Sequence, residues 1–190
     1  GYVYNKEPFE FKKSPIYGFL CNVLTGFLLL FSGFIHSMNS FMDVLDINFL
    51  IYSVPYIFLF AAVSVLSHIP DIEGDKDGSR NTLAIKLGIR KSILLSTLFV
   101  LMSFFISLLI KDPLASTALI TIIPFFMYAL FRGYSKDILR AIRYPIAILN
   151  IYVMCLYPYL AVSVIVTFYL SKYYYWHRYD LHYPTILVDD

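Results

Sequence analysis

The sequence predicts an all-α fold, a polytopic bundle of transmembrane helices, and three observations support this prediction. Apolar residues make up 59% of the 190 residues and charged residues only 15%, and both fractions depart from those of soluble proteins. A soluble domain of this size could not bury so much apolar surface. The chain also contains long apolar runs, and its basic residues gather on one side of them. A membrane protein is the fold class that fits all three.

Five apolar runs are long enough to cross a hydrocarbon core of about 30 Å at a rise of about 1.5 Å per residue. The predicted spans are Ile16–His36, Phe49–Leu66, Ile93–Ile110, Pro113–Phe131 and Pro145–Leu170. Pro55, Pro124 and Pro158 fall inside three of these runs, where each removes a backbone hydrogen bond and predicts a local kink. No linker divides the chain, so residues 1–190 are predicted to form one transmembrane domain.

The loops between these spans differ sharply in basic residues, which sets the orientation through the positive-inside rule. Segments 1–15, 69–92 and 132–144 lie on one side and carry twelve of the fifteen Lys and Arg residues. The opposite side has segment 37–48, a short turn at Lys111, and the tail after the last span. We therefore expect a multi-pass protein of the cell membrane with segment 69–92 on the cytoplasmic side and the tail outside.

Several classes of function lack their sequence signals. The net charge is only +2 and no basic stripe is present, so a nucleic-acid partner is not expected. There is no Cys/His zinc spacing, no glycine-rich Walker loop and no serine nucleophile elbow. A transporter is disfavoured because no charged residue lies near the middle of a predicted span.

Segment 69–92, called the acidic loop below, contains the chemistry-bearing residues. Four of its acidic residues fall within seven positions, namely Asp71, Glu73, Asp75 and Asp77. A helix that continued past Pro70 would place Asp71 and Asp75 on one face, about 5–6 Å apart at Cβ. Mg²⁺ prefers a few carboxylate oxygens together with water and substrate phosphate oxygens. The spacing therefore favours a Mg²⁺ site that faces a diphosphate, with Asp71 and Asp75 as ligands.

Other interpretations of the acidic loop remain open at this point. Lys76 and Arg80 suit the remaining charge of a phosphate group, but the acids could equally balance the bases of a solvated loop. An EF-hand calcium loop fails because its twelfth position is Ala84 where a bidentate Glu is required. His68, alone at a helix end, is expected to be a cap or interfacial residue rather than a ligand.

The acidic loop resembles the second acidic motif of the UbiA superfamily of intramembrane prenyltransferases. That motif is Asp-x-x-x-Asp followed by Gly and a Thr-Leu-x-x-x-Leu-Gly stretch. Its residues are matched here by Asp71, Gly74, Asp75, Thr82, Leu83, Leu87 and Gly88. The small residue usually found four positions after the second Asp is Ser79, with Gly78 displaced by one. This is a mild departure from the family's pattern.

A second match lies upstream, where the family often has a Tyr-Ser-x-Pro-Pro-x-Arg-Leu-Lys segment. Tyr4, Pro8, Phe11 and Lys12 occupy corresponding positions, with Glu10 in place of the usual base. The following residues 18–26 are similar to the Asn and Thr-Gly pattern of the family's fifth helix. The five spans thus resemble the fifth to ninth helices of the family.

The family's first acidic motif, Asn-Asp-x-x-x-Asp-x-x-x-Asp, follows its second helix and has no counterpart here. The resemblance therefore implies a chain that is incomplete without an N-terminal half. Either the chain is part of a longer protein, or a second chain carries the first motif.

The resemblance implies transfer of a polyprenyl group from a polyprenyl diphosphate to a lipophilic acceptor among the membrane lipids, with Mg²⁺ as cofactor. Asp71 and Asp75 are the expected catalytic metal ligands and Asp77 a weaker ligand. Residues expected near the diphosphate are Lys76, Arg80, Lys12 and Tyr4. The acceptor stays open between a quinone precursor, an ether-lipid glycerol phosphate and a carotenoid. The rival interpretation is a non-catalytic membrane subunit that packs in a larger complex.

Overall fold

The computed structural model describes residues 11, 14–37, 46–78 and 80–183, and their secondary structure is helical throughout. The long helices are α1 (Pro15–Ser37), α2 (Ile47–Ser67), α5 (Ile89–Leu109), α6 (Pro113–Arg132), α7 (Ser135–Leu156) and α8 (Tyr159–Tyr179). Two short helices, α3 (Ile72–Asp77) and α4 (Leu83–Leu87), lie between α2 and α5. Five helices, α1, α2, α5, α6 and α7, are long and apolar enough to cross a membrane. The predicted fold class is thereby confirmed.

The bundle is built around α2, which packs most extensively on α5. The core between the long helices is formed by apolar side chains such as Leu66, Val100, Ile122 and Phe126. Phe34, near the end of α1, stacks on Phe49 at the start of α2 with ring centroids 4.1 Å apart. Helices α1 and α2 therefore run in opposite directions, and the end of the bundle that carries the acidic loop is called the loop end below.

Small polar residues line the buried face of α5. Ser92, Ser96, Ser103 and Ser107 are fully buried at spacings of four, seven and four residues. Ser103 Oγ donates a hydrogen bond of 2.6 Å to the backbone carbonyl of Pro55. Small side chains let helix backbones approach closely, which is how helices associate in lipid where the hydrophobic effect between them is weak. This stripe explains why α5 can lie against α2 despite its low content of large buried side chains.

Helix ends in the second half of the chain are set by local residues. Gly133 ends α6 at φ 66°, a left-handed conformation that favours glycine. Only residues 133 and 134 separate α6 from α7, so the prediction of a loop at residues 132–144 is wrong. Ile138 and Ala141 are buried at helical spacing within it, which makes the segment the first turns of α7.

The fifth predicted span, Pro145–Leu170, is also wrong in its bounds. The helix is interrupted at Tyr157 and Pro158, between α7 and α8. A residue before proline is sterically driven out of the α region, and Tyr157 accordingly has φ −130° and ψ 77°. The crossing helix is thus α7, beginning at Ser135, while α8 has no buried residue and packs on α7. Pro55 and Pro124, in contrast, lie inside continuous helices as predicted.

Asp112 caps α6 and ties it to α2 at the end of the bundle opposite the acidic loop. Its Oδ1 accepts hydrogen bonds from the backbone N–H groups of Leu114 (3.0 Å) and Ala115 (3.1 Å). Its Oδ2 accepts a hydrogen bond of 3.0 Å from the hydroxyl of Tyr56. Asp112 is 7% exposed, so these partners replace water for its carboxylate.

We expect Asp112→Ala to lower the free energy of unfolding by about 1–2 kcal/mol, the usual cost of losing an N-cap acceptor. Asp112→Asn should cost clearly less because its amide oxygen can still accept from Leu114 and Ala115. The measurement is the Tm of the purified protein in detergent. Equal Tm values for the alanine variant and the wild type would contradict this account of the cap.

Candidate functional site

The acidic loop begins with a turn and a short helix that bring two aspartates together. Helix α2 ends at Ser67, so the expectation that it continues past Pro70 is wrong. Asp71 is instead the N-cap of α3, and the backbone N–H of Asp75 donates to the carbonyl of Asp71 at 2.7 Å. The two residues are therefore one helical turn apart, the spacing that the sequence suggested. The short helix α3 supplies this spacing in place of an extended α2.

The two aspartates differ in their surroundings. Asp71 is exposed and its carboxylate makes no capping hydrogen bond. Asp75 is 6% exposed, and its Oδ1 lies 3.6 Å from Nη1 of Arg80. A buried carboxylate needs a positive partner, and Arg80 supplies one whose own side chain is about half exposed. The two aspartates thus place an exposed carboxylate one helical turn from a buried carboxylate that is paired with the half-exposed Arg80.

Some of the other predicted site residues are exposed, and the rest lie outside the described residues. Glu73, Lys76 and Asp77 are exposed on α3. Tyr4 and Lys12 lie outside the described residues. Among the described residues, no three His, Cys, Asp or Glu side chains form a group suited to a metal ion. The described part of the chain therefore offers two aspartates one helical turn apart, and the assignment of Asp71, Asp75 and Asp77 as metal ligands stays a prediction.

His68 and Thr82 line a small cavity of about 10 Å³ where α1 meets the acidic loop. His68 caps α2, and its Nδ1 lies 2.7 Å from the carbonyl of Ser64. Since a carbonyl only accepts, this ring nitrogen is the donor. The result agrees with the expectation that His68 is a cap. Thr82 Oγ1 is buried without a hydrogen-bond partner in this cavity, which is about the size of one water molecule.

A larger apolar cavity of about 310 Å³ lies between α1, α2 and α7. Its lining is almost entirely apolar. The lining residues are Gly26, Leu29, Leu30, Tyr56, Ile57, Leu59, Phe60, Val63, Pro145, Ile146 and Leu149. Among the lining residues on α2, Val63 is nearest the loop end, four residues, or about 6 Å of helix, before the end of α2. The acidic loop follows α2, so the cavity lies along the helix that leads to Asp71 and Asp75.

Sequence reasoning missed a set of charged residues at the loop end of α7, because it assigned them to a loop. Asp137 is buried, with Oδ1 3.1 Å from Arg140 Nη1 and Oδ2 3.4 Å from Arg132 Nε. Arg143 is half-buried on the next turn. The helical spacing of Ile138, Ala141 and Pro145 was the signal that could have placed these residues in a helix.

The fold and site define an integral membrane protein with two aspartates one helical turn apart and an apolar cavity between its helices. The sequence model of the UbiA prenyltransferase family matches residues 1–144, which include the first four crossing helices and the acidic loop. The chain belongs to this family, and membership indicates a membrane prenyltransferase. No curated protein and no solved structure matches the chain.

Proposed function

We propose that this chain acts in the transfer of a polyprenyl group from a polyprenyl diphosphate to a lipophilic acceptor within the membrane. The observation that carries the proposal is that Asp71 and Asp75 lie one turn apart on the short helix that follows α2, which lines the apolar cavity. A carboxylate pair suits the charged end of such a donor, and the cavity suits its hydrocarbon chain. A lipid diphosphate has both a charged end and a hydrocarbon chain, and few other substrates would use both the carboxylate pair and the cavity.

The donor atoms in the acidic loop fit Mg²⁺. Asp71 and Asp75 supply hard carboxylate oxygens, and Mg²⁺ commonly takes one or two carboxylates together with water and substrate phosphate oxygens. A third protein ligand is therefore not required from the described residues. When bound, Mg²⁺ would offset the negative charge that develops on the leaving diphosphate.

The other roles in the proposed reaction are assigned to residues by their positions. Asp71 and Asp75 would hold the metal, with Asp77 as a weaker ligand. Lys76 and Arg80 would bind the diphosphate oxygens, and we extend this role to Lys12 and Tyr4 outside the described residues. The apolar wall of the cavity would hold the prenyl chain and exclude water from the allylic carbon as its bond to oxygen breaks.

The acceptor class is proposed only as lipophilic. A quinone precursor, an ether-lipid glycerol phosphate and a carotenoid each reach an intramembrane cavity from the bilayer. The cavity described above is lined almost wholly by apolar side chains. Such a lining selects for a hydrocarbon chain by its length and does not distinguish among these three acceptors.

We further propose that a segment carrying a first acidic motif completes the site, from the same polypeptide or from a second chain. Helix α1 supports this because none of its described residues is buried, although it is apolar and forms one wall of the cavity. Exposed apolar side chains on its outer face include Leu20, Leu24 and Leu28. Another set of helices packed there would close the cavity.

We propose that the acidic loop faces the cytoplasm. The loop end of the bundle carries most of the basic residues of the described chain, among them Lys86, Arg90, Arg132 and Lys136, whereas Lys111 lies at the opposite end. This distribution follows the positive-inside rule.

The proposal is tested with the full-length protein, combined with the second chain if that chain carries the first acidic motif, purified in detergent or nanodiscs. We expect release of diphosphate from geranylgeranyl diphosphate in the presence of a lipophilic acceptor, lost on addition of EDTA and restored by excess Mg²⁺. Prenylated product should form in equal amount to the diphosphate released. Absence of turnover with all three acceptor classes would favour the non-catalytic subunit instead.

A further inference from the structure

We propose that Tyr56 limits the length of the prenyl chain that the apolar cavity accepts, at about four isoprene units. This inference rests on the proposed function and adds to it a residue that determines specificity for the donor. Its basis is the position of Tyr56 along α2, the side chains that fill the space beyond it, and the hydrogen bond that holds its ring.

Tyr56 lies at the end of the cavity that is farthest from the loop end. It is the first lining residue of α2, and α2 runs toward the acidic loop. Because α1 runs opposite to α2, the farthest lining residue of α1 is Leu30. Beyond Leu30, the rings of Phe31 and Phe34 contact the ring of Phe49, with centroids 5.7 and 4.1 Å apart. Aromatic side chains therefore fill the space between α1 and α2 beyond this end of the cavity.

Helix α7 reaches the same end of the cavity. It runs antiparallel to α6, since only two residues join the two helices and the Tyr152 hydroxyl lies 3.4 Å from the Thr117 carbonyl. Its farthest lining residue from the loop end is therefore Leu149. Leu149 and Tyr56 also line a narrow gap toward α5 and α6 that has no room for a water molecule. Loss of the Tyr56 side chain would join this gap to the cavity and lengthen it.

The hydroxyl of Tyr56 is held by Asp112, the residue that caps α6. It donates a hydrogen bond of 3.0 Å to Oδ2 of Asp112, while Oδ1 accepts from two backbone N–H groups of α6. A buried carboxylate is costly unless its oxygens are bonded. The ring of Tyr56 therefore cannot turn aside without leaving Oδ2 of Asp112 unpaired, and it forms a firm stop for a hydrocarbon chain.

The distance from the acidic loop to Tyr56 sets the limit on length. Tyr56 precedes Ser67, the last residue of α2, by eleven residues, or about 16 Å of helix. One isoprene unit adds four bonds to an extended chain, which is about 4.5 Å at the reach per bond of an extended backbone. About four units therefore fit between the acidic loop and Tyr56, and a fifth would meet the tyrosine ring.

The test compares farnesyl, geranylgeranyl and geranylfarnesyl diphosphate, which carry three, four and five isoprene units, as donors for the full-length protein with any second chain that completes it. We expect the wild-type kcat/KM to fall by roughly 10- to 100-fold from four to five units, the scale of discrimination by a hydrophobic pocket. Tyr56→Ala should remove most of this fall. Calorimetric binding of the corresponding thiolodiphosphates, which resist ionisation, should show the same order of affinities.

Three further variants separate chain length from folding. Tyr52→Ala removes an exposed tyrosine one turn away on α2, outside the lining, and should keep the wild-type preference among donors. Tyr56→Phe keeps the ring and should keep the length limit, with a lower Tm because Asp112 loses a donor. Leu30→Ala opens the same end of the cavity from α1 without changing that hydrogen bond, and it should also reduce the fall.

Each contrary result has a distinct meaning. Equal wild-type kcat/KM values for four and five units would overturn the length limit and leave the proposed function intact. A fall that persists unchanged in Tyr56→Ala would overturn the role of Tyr56. If Tyr56→Ala does not fold, Leu30→Ala decides in its place, and an unchanged fall there would overturn the inference. A wild type that uses none of the three donors would overturn the proposed function and this inference together.

Discussion

Asp71→Asn and Asp75→Asn are each expected to lower Mg²⁺-dependent release of diphosphate by about 10²- to 10³-fold in the full-length protein, the usual effect of removing one preorganised electrostatic group. Asparagine keeps the size and most of the hydrogen-bonding capacity of aspartate but removes the charge that a metal ligand needs. A solvated loop charge would contribute far less. The measurement is the rate of diphosphate release from farnesyl or geranylgeranyl diphosphate.

Glu73→Gln is the matched control for these variants. Glu73 is an exposed residue of the same short helix, two positions from each aspartate and therefore on another face. It should keep a rate near that of the wild type, and the Tm of all three variants should stay close to the wild-type value. Similar rates across the four proteins would mean that the acidic loop is solvated surface and does not hold the metal.

Ile146→Trp should have the second largest effect because it fills the apolar cavity. Ile146 lines the cavity of about 310 Å³ on α7, and a tryptophan there would occupy the space proposed for the prenyl chain. We expect kcat/KM for geranylgeranyl diphosphate to fall by roughly 10- to 100-fold, the scale of discrimination by a hydrophobic pocket. Geranyl diphosphate, with half the number of isoprene units, should lose much less.

The control for the cavity is Ile151→Trp on the same helix. Ile151 is 53% exposed and Ile146 is 55% exposed, but Ile151 is not among the lining residues. This variant should treat both donors as the wild type does. An equal loss for long and short donors in Ile146→Trp would show that the cavity does not hold the prenyl chain.

The first four spans could be predicted from the sequence because each apolar run is bounded by charged residues or turns. Their observed bounds differ by only a few residues from the predicted ones, with the largest shift at α5, which begins at Ile89 where Ile93 was expected. The fifth span failed for two physical reasons. Charged residues on one side of α7 concealed its amphipathic first turns, and the apolar run continues across the break at Tyr157 without a change in composition.

The candidate site could be predicted only in the part that depends on residues close together in the sequence. The pairing of Asp71 with Asp75 follows from a spacing of four residues, and it holds although the helix that carries it is not the expected one. The cavity depends on how three separate helices lie against one another. The positions of these helices relative to one another are set by packing among residues far apart in the chain. The periodicity of the sequence carries no information on that packing.

The ion pair between Asp75 and Arg80 gives the acidic loop a resting state of its own. At 3.6 Å, the guanidinium already neutralises the buried carboxylate before any substrate arrives. Under the proposed function, Arg80 would be the counter-ion of Asp75 between catalytic cycles and would bind phosphate oxygens during them, since its side chain is about half exposed.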